Sequence, residues 1–235
     1  MTDISEKKDL QDVCACGESG ERAQTATPAF RVILASASPR RRQLLEEAGV
    51  KFSVLVSKVD ETLEPDILAQ PKEAAKKLAE RKAGAVVQEL LADPEVRGMI
   101  MVIGADTMVV KGTTIFGKPK NLDHAKYMLG TLSGTTHEVV TGVSVWMISI
   151  SEAGEVSLGF RSFTDTSAVT FHPLDEERIV AYLRCGESFD KAGAYAAQGE
   201  GARLIKHIEG YRSTVIGLPV ERLLQEFPDL ARAQH

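Results

Sequence analysis

Val32-Ile33-Leu34-Ala35-Ser36-Ala37-Ser38-Pro39-Arg40-Arg41-Arg42-Gln43-Leu44-Leu45-Glu46-Glu47-Ala48-Gly49 passes from a short apolar run into a helical pattern. Ser38 suits the N-cap, Pro39 the first helical position and Gly49 the exit. A strand therefore delivers a helix N-terminus that carries hydroxyls and consecutive arginines. Free amides, the positive end of the helix dipole and guanidinium forks together suit an anion, phosphate foremost. Taken by itself, the segment reads equally well as a capped helix with solvated arginines.

The same alternation continues outward. Phe52-Ser53-Val54-Leu55-Val56 has strand character, and a helix begins after Pro71, with Ala74, Ala75, Leu78, Ala79, Lys82, Ala85 and Val86 at helical spacing. Met99-Ile100-Met101-Val102-Ile103 is continuously apolar, as a strand buried on both faces would be. It is expected to emerge into Gly104-Ala105-Asp106-Thr107, resume at Met108 and turn at Lys111-Gly112-Thr113. Asn121 is placed to cap a helix carrying Ala125, Met128, Leu129 and Leu132. Glu138 to Thr170 reads as strands divided by Glu152-Ala153-Gly154-Glu155, and Pro173 opens a helix that ends at Gly186. A strand near Leu204-Ile205 and a helix from Val220 to Phe227 follow. Early alternation with a later strand meander predicts an α/β fold built on a mixed sheet flanked by helices.

Composition narrows the function classes. The 235 residues are 43% hydrophobic and 26% charged, which describes an ordinary globular chain. A net charge of -5 argues against general nucleic-acid binding, and favours positive charge focused in one cleft for a small anionic ligand. Cys14, Cys16 and Cys185 form no disulfide framework, so a reducing compartment, the cytoplasm, is expected. Cys14 and Cys16 read as free thiols in a loose tail and Cys185 as a packing residue. Residues 1–28 carry six acidic and three basic side chains without a secretory core, and read as a flexible extension before one domain at 29–230. Val139 to Ile150 is too short and too interrupted for a membrane span.

Several residue types could carry chemistry. Asp106, expected just past an apolar strand, could bind a divalent metal or accept a proton from water, or simply cap a turn. Asp60-Glu61 offers a second acidic site, which would matter only if folding brings Glu61 to Asp106. Lys82 and Lys118, the latter in Gly117-Lys118-Pro119, are candidate point charges for phosphate. Asp190-Lys191-Ala192-Gly193-Ala194-Tyr195-Ala196-Ala197-Gln198-Gly199 mixes small residues with charge, and the Gln198 amide could read a base edge. His137 reads as a packing or hydrogen-bonding residue. Phosphate-loop, dinucleotide, H-E-x-x-H and G-x-S-x-G signatures are all absent.

Together these segments resemble the Maf family of nucleoside triphosphate pyrophosphatases, relatives of the inosine triphosphatase fold, from about Arg31 to Leu224. The resemblance rests on S-x-S-P-R-R at 36–41, Val59-Asp60-Glu61, Leu78-Ala79 with Lys82-Ala83, Gly104-Ala105-Asp106-Thr107 and Gly117-Lys118-Pro119. Leu132-Ser133-Gly134, Thr141-Gly142-Val143, Asp190 to Tyr195 and Gly217-Leu218-Pro219 complete it. It implies an elongated sheet with a nucleotide cleft, and hydrolysis between the α and β phosphates with a divalent metal, Mg²⁺ or Mn²⁺. It implies Asp106 as general base or metal-linked carboxylate and Glu61 in the metal site. Ser36, Arg41, Lys82 and Lys118 would hold the triphosphate, with Asp190 and Lys191 as further candidates.

The family divides by base, and Arg40, Thr107 and Gln198 match the group favouring dTTP and UTP. Alternative readings are a 7-methyl-GTP enzyme or a non-catalytic nucleotide-binding regulator of cell division. A homodimer is left open. Ala196-Ala197 replaces the usual Gly-Ile before the glutamine, and Gly210-Tyr211-Arg212 replaces the usual G-S-Y. The first change bears on the width of the base pocket.

Overall fold

The computed structural model describes residues 30–56 and 58–232. The extension expected at 1–28, with Cys14 and Cys16, lies outside them. The opening segment folds as read: β1 (Phe30–Leu34) feeds α1 (Pro39–Glu47), whose N-cap Ser38 accepts the Arg41 amide through its side chain. Leu44 and Leu45 of α1 are buried against Val32 and Leu34, so the cap is fixed to the sheet by a two-residue apolar anchor.

The chain continues through β2 (Ser53–Val54), α2 (Pro65–Leu68), α3 (Pro71–Ala92), β3 (Gly98–Lys111) and β4 (Thr114–Phe116). Then come α4 (Leu122–Leu132), β5 (Thr136–Ile150), β6 (Val156–Phe171), α5 (Glu176–Arg184), β7 (Ile205–Glu209), α6 (Arg212–Ile216), α7 (Val220–Glu226) and α8 (Asp229–Arg232). Asn121 caps α4 by accepting the His124 amide. Asp175, rather than the region of Pro173, caps α5, because its carboxylate reaches the Arg178 amide.

One seven-stranded mixed sheet runs β2-β1-β3-β5-β6-β7, with β4 added on β3. β2, β1 and β3 are parallel, and every pairing beyond β3 is antiparallel. The α/β expectation with a mixed sheet therefore holds. β3 differs from its reading in one respect: it does not end before Asp106. It remains a single strand to Lys111 because β5 pairs with it without interruption from Gly98 to Val110.

What does break is the opposite edge. There β3 pairs with β1 over Met99–Ile103 and with β4 over Val109–Lys111. Between them, residues 104–108 have no strand partner on that edge among the described residues. β1 has turned away into α1, and the gap it leaves is the floor of a cleft.

The two faces of β3 then deliver different groups, since side chains alternate along a strand. Ile100 and Val102 pack against Ala83, Val86 and Val87 of α3, and Asp106 shares that face. Met101, Ile103 and Ala105 pack with α1 and α7 residues, and Thr107 shares theirs. Helix α3 lies very close to the sheet. A Cβ at Gly104 would stand 2.5 Å from the Ala79 carbonyl oxygen, and one at Gly142 only 2.3 Å from the Ala75 carbonyl carbon. Ala74, Ala75, Ala79 and Ala83 complete this small-residue seam, all fully buried.

Candidate active site

Gly142 is the direct cross-strand partner of Asp106, so the seam that lowers α3 onto the sheet also lowers Lys82 onto the carboxylate. Lys82 Nζ donates to Asp106 Oδ1 at 2.6 Å and stands 2.8 Å from Glu61 Oε1. The condition left open by the sequence is met: folding brings Glu61 beside Asp106, with one ammonium between them. Asp60 plays a local part, its Oδ1 accepting both the amide and the hydroxyl of Thr62 in the loop. Burial pushes the Glu61 carboxyl up, but the hydrogen bond and charge of Lys82, with Lys118 and Arg41, outweigh it and leave the pKa below the usual value.

Arg41 sits on the other face of β3. Its Nε donates to the Gly217 carbonyl at 2.8 Å, Nη1 to Ser36 Oγ at 3.1 Å and Nη2 to Thr107 Oγ1 at 3.2 Å. A guanidinium has five N–H donors, so two remain without a partner among the described residues. Enclosure lowers the Arg41 pKa, Asp106 raises it, Arg40 lowers it and Glu61 raises it, for a net fall from the ordinary value. Ser36 is buried behind this arginine, accepting also from the Ser38 amide, and is not among the cleft-lining residues.

The cleft has a volume of about 390 Å³, within the range of small-molecule sites. Its polar end is lined by Ser38, Arg40, Arg41, Glu61, Lys82, Asp106 and Lys118. Its far end is apolar, with Val109, Ile115, Phe116, Val139, Tyr195, Ala196, Ala197, Val215 and Ile216. This division fits a ligand with a charged tail and a flat, weakly polar head.

Asp190, Lys191 and Ala192 form a rim. Arg40 Nη1 lies 3.6 Å from Asp190 Oδ2, and Lys191 Nζ donates to Asp190 Oδ1 at 2.5 Å. Burial raises the Asp190 pKa, but the hydrogen bond and charge of Lys191, then the charge of Arg40, bring it below the usual value.

Of the other two expected base-reading residues, Thr107 lines the cleft with Arg40 and Gln198 does not. The Thr107 hydroxyl is occupied by Arg41 and by Thr141. Gln198 is half-buried at the start of the 3-10 segment Gly199–Leu204 and is not among the cleft-lining residues. Cys185 is exposed rather than packed.

Sequence reasoning missed the apolar wall. Tyr195 is fixed by His137, whose Nε2 lies 2.8 Å from the phenol oxygen, and the Ala196 amide donates to the Tyr182 hydroxyl at 3.2 Å. Arg212 donates to the Ala197 carbonyl at 2.7 Å. Burial, with Lys111 nearby, depresses the His137 pKa to about 4, so a neutral imidazole holds this wall. Tyr195 was visible only as the end of a small-residue run.

The site can also be tested for a divalent cation. Two carboxylates already converge on one positive charge, the donor set that Mg²⁺ or Mn²⁺ accepts when water and phosphate oxygens fill the other positions. No cluster of three or more His, Cys, Asp or Glu able to hold a metal occurs among the described residues. Glu61 and Asp106 therefore fit a cation shared with a phosphorylated ligand, rather than an all-protein cage.

The chain is similar in sequence to known proteins. A dTTP/UTP pyrophosphatase of Lachnoclostridium phytofermentans is 42% identical over 197 residues, covering 84% of this chain and 93% of that protein. A dTTP/UTP pyrophosphatase of Bacillus thuringiensis subsp. konkukian is 42% identical over 196 residues, covering 83% and 93%. The solved nucleoside-triphosphatase / dITP/XTP pyrophosphatase of Mycobacterium abscessus aligns over 86% of this chain and 96% of its own, with 11% identity. Its TM-score is 0.33, and the fold assignment rests on the strand pairing instead. The family model described as Maf-like protein matches residues 31–230, and the chain belongs to the Maf-like family.

Proposed function

We propose that this protein is a nucleoside triphosphate pyrophosphatase that hydrolyses dTTP and UTP to the monophosphate and pyrophosphate. The observation that carries the reading is the convergence of Glu61 and Asp106 on Lys82, at the polar end of a cleft whose other end is apolar. The dTTP/UTP pyrophosphatases that are 42% identical to it over 196 and 197 aligned residues support the choice of base.

Glu61 and Asp106 would hold Mg²⁺ or Mn²⁺, which neutralises phosphate charge and polarises the phosphorus centre when bound. Arg41, Lys82 and Lys118 bind the triphosphate, and Ser36 acts with Arg41, whose guanidinium it holds. Charge that develops on the phosphate oxygens meets donors already in place. Asp106 Oδ takes the proton of the attacking water as the oxygen closes on the α phosphorus. Lys82, hydrogen-bonded to that carboxylate, holds it in position for the transfer. Pyrophosphate departs toward Lys118 and Arg41.

The nucleobase lies between Phe116, Tyr195 and the alanine pair, where its stacking face replaces water. Arg40 and Thr107 are the base-discriminating residues that line the cleft, and Gln198 supports them only where ligand binding moves the 190–199 loop. The shorter Ala196-Ala197 wall leaves room for pyrimidines modified at the ring, such as 5-methyl forms.

The test is a panel of triphosphates with Mg²⁺ and identification of both products. Pyrophosphate release fastest from dTTP or UTP is expected. Orthophosphate release, fastest turnover of 7-methyl-GTP, or binding without hydrolysis refutes the reading. We further propose a cytoplasmic protein without a nucleic-acid partner. The net charge of -5 supports this, and among the described residues no helix is long and apolar enough to cross a membrane. A homodimer through the outer stretch of β6 completes the proposal, supported by exposed Val156, Leu158 and Phe160 on one face and tested by sedimentation.

A further inference from the structure

Glu187 stands outside the cleft, half-buried where α5 has ended and the base-side wall begins. Its carboxylate reaches far along the chain. Oε1 accepts the Glu200 amide and Oε2 the Gly201 amide, each at 3.2 Å, thirteen and fourteen positions later. Bonds from backbone amides to a carboxylate are about twice as strong as neutral ones. The segment between has the form of a compact loop whose ends are tied together. It carries Asp190, Tyr195, Ala196, Ala197 and Gln198.

Two glycines let this clasp close. Gly199 has φ 62°, and a Cβ there would run into Glu187 Oε1. One at Gly201 would run into the Ala196 carbonyl oxygen and amide nitrogen. The Gly201 backbone thus lies flat against the Ala196 peptide, and its place sets that of a residue lining the cleft. The middle of the loop is held independently, by the Gly193 amide on the Gly117 carbonyl at 3.1 Å. What the carboxylate governs is the later part, where Ala196, Ala197 and Gln198 stand. The main chain of the same residue holds the rim. Lys191 Nζ donates to the Glu187 carbonyl and to Asp190 Oδ1, each at 2.5 Å, and Asp190 faces Arg40.

We infer that Glu187 is a positioning residue for base selection, whose carboxylate clasps the two ends of the 187–201 segment and so sets Ala196, Ala197 and Gln198 at the base end of the cleft. The inference rests on the proposed nucleotide reading of that cleft. Arg41, Lys82 and Lys118 belong to other segments of the chain, so the clasp acts on the base and not on the phosphates. Glutamine at this position would keep the shape, but one of its two arms would be an NH₂ group turned on a backbone N–H.

The experiment compares wild type with Glu187→Gln, Gly199→Ala and the double variant, measuring kcat and KM on dTTP, UTP, dCTP and GTP and affinity for inorganic tripolyphosphate. Glu187→Gln is expected to raise KM for the best wild-type substrate about tenfold and to change the others less, so that the ratio of kcat/KM between bases falls about tenfold. Values of kcat and the affinity for tripolyphosphate stay within about twofold. Gly199→Ala, which displaces the same carboxylate from the other side, gives the same shift, and the double variant is no worse than either single one, as expected for one interaction. Unchanged ratios between bases overturn the inference, as does a parallel loss of tripolyphosphate affinity.

Should wild type hydrolyse no triphosphate, the functional reading fails separately, and affinity for dTTP takes the place of KM. About tenfold weakening in Glu187→Gln with tripolyphosphate affinity unchanged sustains the clasp; equal dTTP affinity, or no binding of either probe by wild type, overturns it. Circular dichroism checks folding. If Glu187→Gln does not fold, Gly199→Ala decides. If neither folds, the carboxylate serves the fold alone and the inference is overturned.

Discussion

Replacing Gly142 by alanine places one methyl group where α3 leaves no room. The added Cβ would lie 2.3 Å from the Ala75 carbonyl carbon, 2.4 Å from its oxygen and 2.5 Å from the Lys76 nitrogen. All three are backbone atoms of one helix, so no side chain can rotate aside. Restoring a carbon contact of roughly 3.5 Å from 2.3 Å requires α3 to retreat by about 1.2 Å. Overpacking of this kind costs about 1–3 kcal/mol, which for a chain of this size lowers Tm by roughly 2–12 °C.

The same retreat draws the Lys82 backbone away from Asp106, to which its ammonium is bonded at 2.6 Å. Displacements of that size near a reacting centre cost up to roughly 100-fold in rate. Thermal unfolding and pyrophosphate release should therefore fall together in Gly142→Ala. Gly159→Ala serves as the control, since a Cβ there meets nothing within 4 Å. If Gly142→Ala unfolds at the temperature of that control, the close seam is not what seats α3, and the reasoning fails.

Asp106→Asn should lower kcat by about 10²–10⁴-fold with little change in Tm, measured by pyrophosphate release; retention of a tenth of the activity would remove it as the base. Arg40→Ala should change the ratio of dTTP to GTP turnover by about tenfold, whereas Arg41→Lys, which cannot reproduce a three-partner fork, should lower all triphosphates alike; steady-state kinetics on both substrates separates them. His137 is held at a pKa of about 4 against an ordinary 6.5. Between those values the unfolded chain binds a proton that the native chain excludes, so stability rises with pH across that window and is flat above it. The change amounts to about 3 kcal/mol, and urea titrations at pH 4.5 and 7 should show a gap that His137→Gln narrows.

Local signals were legible where a single segment decides the outcome. Ser38-Pro39 and Asn121 each cap the helix their spacing announces, and the apolar run at Met99 to Ile103 is a buried strand. Asp106 shows the limit of that approach. Glycine, aspartate and threonine after an apolar run have the composition of a strand end, yet β5 keeps the strand paired through them. The opening was made by the neighbouring strand leaving, an event 70 residues earlier in the chain.

The role of Gly142 was equally out of reach, since it depends on a helix packed from outside its own segment. Thr107 and Thr141 look like ordinary strand threonines until the register sets them opposite one another. Glu61 became informative only when a lysine 21 positions later met it in space.

The interrupted edge of β3 has a consequence for self-association. Exposed strand edges usually invite a strand from another molecule, because a row of free amides and carbonyls is a template. On β3 the open stretch is five residues, 104–108, closed at one end by the turn of β1 and at the other by β4. An intruding strand would need a longer run than this recess offers. Alternation leaves the peptide groups of Ala105 and Thr107 facing the recess. The protein can thus keep bare main chain beside its cleft, accessible to a small solute and sterically closed to amyloid-type growth.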